Sequence, residues 1–225
     1  MAKPTVSVGY YSDLLCVWAY VAQVRLDELR QTFADQVSIE HRFVPVFSAN
    51  ATKIGEGWAK RGGWAGYARH VQEVAARFDH VEVHRDAWTR DVPAGSLSSH
   101  AFIKAAGLLA AEGAIEAERV TELAWSLRCA FFVDARNIAR LDVQLDVASS
   151  MELPVSDLRA RLEDGSALAA LAEDHDTAER HGISGSPTFL LNEGRQKLYG
   201  NVGYRIIEAN VRELLSDDSD RASWC

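Results

Sequence analysis

Cysteine is scarce in this sequence, and its three copies lie far apart, at Cys16, Cys129 and Cys225. An odd number at such spacings is no disulfide framework, and neither a CxxC pair nor a Cys/His zinc spacing accompanies it. Positive charge is in deficit, with 24 Lys and Arg against 32 Asp and Glu and a net charge of −8. That balance argues against a nucleic-acid or anionic-membrane surface. Long apolar runs are missing too; none approaches the ~20 residues that a membrane-spanning helix needs. The opening MAKPTVSVGYYSD has no apolar h-region, so a cytoplasmic, reducing location is the expectation. There is no internal repeat. His80 and His84 stand four apart, but Val81-Glu82-Val83 between them alternates like a strand and no third ligand is near, so no metal site is expected.

What is present is a change of period along the chain. Thr5–Tyr11 is β-branched and aromatic and ends at Ser12-Asp13, which reads as a buried strand. From Cys16 the pattern turns helical: Trp18, Ala22, Leu26, Leu29 and Phe33 recur at spacings of three and four. Val37, Ile39, His41 and Phe43 then alternate with polar residues as a second strand. Strand, helix, strand implies a parallel pair. Residues 48–95, where Gly55, Gly57, Gly62, Gly63 and Gly66 mingle with Trp58, Trp64 and Tyr67, read as an irregular segment, either a groove wall or a packed connector. From Ser96 the chain is helical for some eighty residues, with stripes through Phe102, Leu123, Leu145, Leu158 and Leu168–Leu171. The run ends at a helix stop at His181-Gly182. Pro187–Asn192 and Gln196–Tyr199 form a hairpin, and Ile206, Ile207, Val211 and Leu214 a last helix. The expected class is α/β: one sheet built from residues 1–50 and 182–225, interrupted by a mainly helical subdomain over 51–181.

Cys16 stands where the first strand hands over to the first helix. Unpaired N–H groups and the positive end of the macrodipole favour an anion there. A thiol in that setting is expected to titrate below the ordinary ~8.5, in the range of about 3.5–7.5, and to act as a nucleophile. A small buried hydrophobe is the other fate of a free cysteine, and position alone leaves both open. The second signal is Gly185-Ser186-Pro187-Thr188-Phe189, a proline at the entry of a buried strand. Proline is tolerated at that position or as a cis bond.

With these two segments the sequence resembles a family. Ser12-Asp13-Leu14-Leu15-Cys16-Val17-Trp18-Ala19-Tyr20 is similar to the D-x-x-C-P-W-C-Y segment of DsbA-like, FrnE-type proteins. Gly182-Ile183-Ser184-Gly185-Ser186-Pro187-Thr188-Phe189 is similar to their G-V-x-G-V-P-T-F. Gly95–His100 resembles a segment that opens a helix of their inserted domain, and Cys129-Ala130-Phe131-Phe132 an aromatic pair further on. The resemblance implies a thioredoxin fold with an inserted all-helical subdomain. It implies Cys16 as the nucleophile and Pro187 as a cis-proline facing it. Substrate would be held by the Ser186 backbone together with Trp18, Asp13 and His100; for Asp13 a helix cap is the preferred role.

Two positions depart from the family pattern: Val17 stands for the proline and Ala19 for the second cysteine. A dithiol enzyme escapes its mixed disulfide through that second thiol, and here there is none beside Cys16. Three readings follow from the resemblance. One is a single-thiol disulfide oxidoreductase or isomerase acting on a disulfide-containing protein. Its resolver would be glutathione, another thiol, or Cys225 at the end of a polar tail. The second is a glutathione-dependent isomerase or transferase on a small aromatic compound, like 2-hydroxychromene-2-carboxylate isomerase or the kappa-class glutathione transferases. The third is a peptide-binding module without catalysis. No permanently bound cofactor is expected, and a homodimer is left open.

Overall fold

The computed structural model describes residues 5–216. Its sheet has four strands in the order β2-β1-β3-β4. These are β1 (Val6–Ser12), β2 (Val37–Phe43), β3 (Thr188–Leu191) and β4 (Gln196–Tyr199). β1 pairs with β2 in parallel and with β3 antiparallel, and β3–β4 is the expected antiparallel hairpin. The parallel pair is joined by α1 (Val17–Val21) and α2 (Gln23–Phe33), which run on with only Ala22 between them. The final helix is α9 (Tyr204–Leu215).

Alternation divides the work of β1. Val6, Val8 and Tyr10 point to one face and meet Leu26, Leu29 and Phe33 of α2 and Ile207, Val211 and Leu214 of α9. Tyr11 takes the opposite face, against Val44, Ala178, Ile183 and Leu190. Period two in the strand and spacings of three and four in the helices therefore close one layer of core on each side of the sheet.

Between β2 and β3 lie the helices α3 (Gly63–Ala75), α4 (Leu97–Ala111), α5 (Ala117–Phe132), α6 (Leu141–Ser150), α7 (Val155–Glu163) and α8 (Ser166–Arg180). Their apolar sides build a core that also takes in Leu14, Leu15, Cys16, Val17 and Tyr20. The first turn of α1 is thus packed between the sheet and the helical block. His181 closes α8, and Gly182 follows with the left-handed φ of 59° expected of a stop. Among the described residues no helix is long and apolar enough to cross a membrane.

Three expectations need correction. The glycine-rich segment is not wholly irregular: α3 lies inside it, with Tyr67, Val71 and Val74 on its buried side. Gly66 is there for a close approach, since a Cβ at that position would stand 1.9 Å from the Arg61 carbonyl oxygen. Val81–Val83 forms no strand; it is an extended connector whose two valines lean on the core. In α8, Leu168 is 63% exposed, and the buried stripe runs instead through Ala167, Leu171, Asp174 and Ala178.

The connector following α3 is pinned by Trp88, 1% exposed, whose ring packs edge-on to Tyr67 and Phe131 and tilted to Phe47. Its indole N–H is buried with no hydrogen-bond partner. Trp88→Ala should therefore cost about 3–5 kcal/mol of stability. Trp88→Phe should cost clearly less, because the group it deletes is unpaired. Urea unfolding of the two variants checks the order.

Candidate active site around a buried thiol

Cys16 is the residue just before α1, with extended φ and ψ of −82° and 114°. Its N–H donates to the Asp13 carbonyl at 3.1 Å, and its own carbonyl accepts from Ala19 and Tyr20. The thiol donates to the carbonyl of Ser186 at 3.3 Å, and Cys16 is only 5% exposed. The Ser186–Pro187 peptide is cis, as the sequence led one to expect. The loop before β3 is fixed by Thr188 Oγ1 donating to the Gly185 carbonyl and by Gly200 N–H donating to that of Pro187.

The expectation that this thiol titrates low is not met. Burial pushes its pKa above the ordinary value and Asp13 adds to the rise, while Ser186 and the N–H groups of Ala19 and Trp18 pull it down without offsetting the burial. The helix-start donors are present, as the sequence implied. The competing effect is desolvation, which favours the neutral form of a group taken out of water.

Asp13 is also placed differently from its expected role. It caps no helix, since Cys16 holds the capping position of α1 and no side chain bonds there. Its carboxylate is wholly buried and accepts from Leu15 N–H at 2.9 Å, Phe47 N–H at 2.8 Å and Ser96 Oγ at 2.7 Å. Its own N–H donates to Ser186 Oγ at 2.9 Å, tying the thiol's turn to the proline loop. His100 of α4 is fully buried and stacked on Phe43 at 4.6 Å. Its Nε2 accepts from Leu14 N–H at 3.2 Å and lies 3.6 Å from Asp13 Oδ1. Burial pushes the Asp13 carboxyl upward, but His100 and the bonds from Leu15 and Ser96 outweigh it and hold the pKa below its usual value.

Cys16, Asp13, His100, Ser186 and Pro187 are therefore brought together. Trp18, half-buried, packs instead against Phe78 with the Arg77 guanidinium over its ring. Cys225 lies outside the described residues. Ala19 is completely buried, and Cys129 is half-buried against the helical core. His80 bonds to the Val21 carbonyl and His84 Nδ1 to Asp86 N–H, so the two turn to different partners. His175 is half-buried with Nε2 enclosed and unpartnered.

Of two further participants, Tyr67 was read only as part of the glycine-rich segment and Arg128 had no place in the sequence reading. Tyr67, 7% exposed, has its pKa raised well above its ordinary value, first by burial and then by Cys16 and Asp13. Arg128 of α5, 2% exposed, donates to the Asp13 carbonyl and to Ser12 Oγ, both at 2.9 Å. It lies on the buried side of α5 with Ala124, Phe131 and Phe132, at helical spacing.

The chain matches the family model described as the DSBA-like thioredoxin domain over residues 7–211. With that span, it belongs to the DsbA-like thioredoxin domain family. Among solved structures it is similar to a probable DsbA oxidoreductase from Streptomyces coelicolor, with a TM-score of 0.73 and 20% identity over 98% of this chain and 93% of that one. It is similar to the cytosolic disulfide reductase DsbM from Pseudomonas aeruginosa, with a TM-score of 0.67 and 19% identity over 92% and 98%. It is also similar to a 2-hydroxychromene-2-carboxylate isomerase, with a TM-score of 0.63 and 17% identity over 96% and 100%. At these identities the likeness is one of fold. No curated protein matches the sequence.

The depressed Asp13 pKa has a pH consequence. A carboxyl whose folded pKa lies below its unfolded value stabilises the fold above the unfolded value of about 3.9, and loses that contribution as pH falls through the folded one. Asp13→Asn should cost about 1–3 kcal/mol at pH 7, because buried donors lose their acceptor. The variant should also lose the part of the wild type's decline below pH 4 that Asp13 contributes. Urea midpoints between pH 7 and pH 2.5 check both outcomes.

Proposed function

We propose that the chain is a single-thiol disulfide oxidoreductase or isomerase, with Cys16 as nucleophile and glutathione or another small thiol as resolver. One observation carries this reading: the Cys16 sulfur is seated before α1 and 3.3 Å from the carbonyl of the residue preceding cis-Pro187. Membership of the DsbA-like family supports thiol chemistry in general.

The steps balance as exchange. The Cys16 thiol gives up its proton, and its sulfur attacks one sulfur of a disulfide. A Cys16 mixed disulfide forms while the other sulfur leaves as thiolate and takes up a proton. A glutathione thiolate then attacks the substrate sulfur of that adduct, giving a glutathione mixed disulfide and restoring the Cys16 thiol. One disulfide enters and one leaves. Ala19 makes the external resolver necessary, since it stands where a second thiol would act. The widely spaced cysteines fit a reducing compartment, which we take to be the cytoplasm, and the DsbM likeness points the same way.

The glutathione-dependent isomerase reading stands second. It rests on likeness of fold to the isomerase, and the aromatic residues that would wall its pocket are spent on one another, Trp58 on Tyr67 at 5.0 Å and Tyr67 on Trp88 at 4.9 Å.

Incubation with oxidised glutathione should place a glutathionyl adduct on Cys16, identified by peptide mass, and reduced glutathione should discharge it. Reduction of a glutathionylated peptide should be catalytic in the wild type and absent in Cys16→Ser. Turnover surviving in Cys16→Ser would sink the proposal, as would a native protein that never accepts the adduct.

A further inference from the structure

Arg128 is an unusual cation. It is 2% exposed, and both of its hydrogen bonds go to neutral oxygens, the Asp13 carbonyl and Ser12 Oγ. It forms no ion pair within 4 Å among the described residues. A buried guanidinium bound only to neutral acceptors keeps its positive charge unspent, and such a charge is costly unless an anion compensates it. The one carboxylate that acts on it is that of Asp13, and that group already accepts from Leu15, Phe47 and Ser96.

The acceptor that Arg128 has chosen matters more. The Asp13 carbonyl takes two donors at once, Arg128 Nη1 at 2.9 Å and the Cys16 N–H at 3.1 Å. The guanidinium and the backbone of the reacting residue thus meet on one oxygen, and the second arm on Ser12 fixes the end of β1. We propose that Arg128 is the positioning residue of the Cys16 thiol. It fastens the turn from Ser12 to Cys16, and its unpaired charge is the counter-charge of the thiolate formed there when the proton leaves.

Other charged and titratable groups around the sulfur do not offer this. Asp13 disfavours an anion. Tyr10 on β1 donates its hydroxyl to the Ala19 carbonyl, and burial raises its pKa first of all. Burial keeps Tyr67 on α3 a neutral phenol, and likewise the Cys129 thiol beside Arg128. His41 on β2, also close to Arg128, is held neutral by burial and by Arg30 and Arg128, its pKa lowered to about 3. His100 is engaged with Leu14. Burial opposes the charge on Arg128, while Tyr10 first and then Cys16 and Asp13 act to keep it.

The proposal rests on Cys16 being the reacting thiol, but its test does not need turnover. The rate of Cys16 alkylation by iodoacetamide, read by peptide mass, is followed against pH in full-length wild type, Arg128→Gln and Arg128→Lys. The alkylation midpoint should rise by about one pH unit in Arg128→Gln, a tenfold fall in thiolate at a given pH. It should return to within a few tenths of a unit of wild type in Arg128→Lys, which restores charge but not the two-armed grip. A merely structural role would loosen the turn, expose the sulfur and leave the midpoint unmoved or lower. That result in a folded Arg128→Gln, judged by circular dichroism, overturns the proposal. Where Arg128→Gln does not fold, Arg128→Lys decides: a midpoint held supports the charge, and a rise of a full unit overturns it. A wild type with a normal alkylation profile but no disulfide exchange would overturn the proposed function and leave the role of Arg128 standing.

Discussion

The backbone of residues 13–15 has left a strand and has not yet entered a helix, so its polar groups find no ladder to join, and they are buried. Groups in that position must be answered by side chains or the structure pays several unmade hydrogen bonds. Here some of the answers are local and the others come from far along the chain. Leu14 N–H goes to His100, Leu15 N–H to the Asp13 carboxylate and Asp13 N–H to Ser186, while the Asp13 carbonyl is shared by Arg128 and Cys16. The helices between β2 and β3 are therefore part of the thiol's own architecture. α4 supplies His100 and α5 supplies Arg128; without them Leu14 N–H loses its acceptor and the Asp13 carbonyl one of its two donors.

The thiol sits in a balance of opposed effects. N–H groups of the first helical turn favour the anion, and removal from water disfavours it. At rest the second effect is the larger, which leaves a protonated sulfur donating to the Ser186 carbonyl. Such a thiol is guarded against casual oxidation, since the thiolate is the reactive species. An approaching disulfide that displaces the Ser186 carbonyl would find the favourable groups already in place, with little reorganisation required.

Much of this was legible in the sequence, where local pattern carried it. Val37, Ile39 and Phe43 gave away β2 by alternation, Leu26, Leu29 and Phe33 gave α2 by spacing, and Ser186-Pro187 pointed to the loop facing Cys16. α3 escaped because glycines masked a helical Tyr67–Val71–Val74 stripe; Gly66 serves a close backbone approach and does not mark disorder. Of the groups clamping the turn, His100 was indicated only by the family resemblance and Arg128 not at all, for a different reason. Arg128 reaches its acceptor across 115 residues and His100 across 86, and neither contact leaves a local periodicity. The sign of the Cys16 shift was misread because sequence reveals the donors of a helix start directly, whereas the depth at which that start is buried depends on how all six intervening helices pack.

The 5% exposure of Cys16 bears on how fast any bulky partner could react. Were large molecules unable to touch the sulfur in this conformation, it would react with them only in the fraction of time that the loops around it stood apart. The rate is then a product of an opening equilibrium and an intrinsic attack, the same form that governs exchange of a protected amide. With concentrated or very reactive partners it would level off at the opening rate itself, so the thiol would serve as a clock for the breathing of the loop that carries Pro187. Small reagents, which can slip in beside the sulfur, would escape that ceiling and separate the two regimes by size alone.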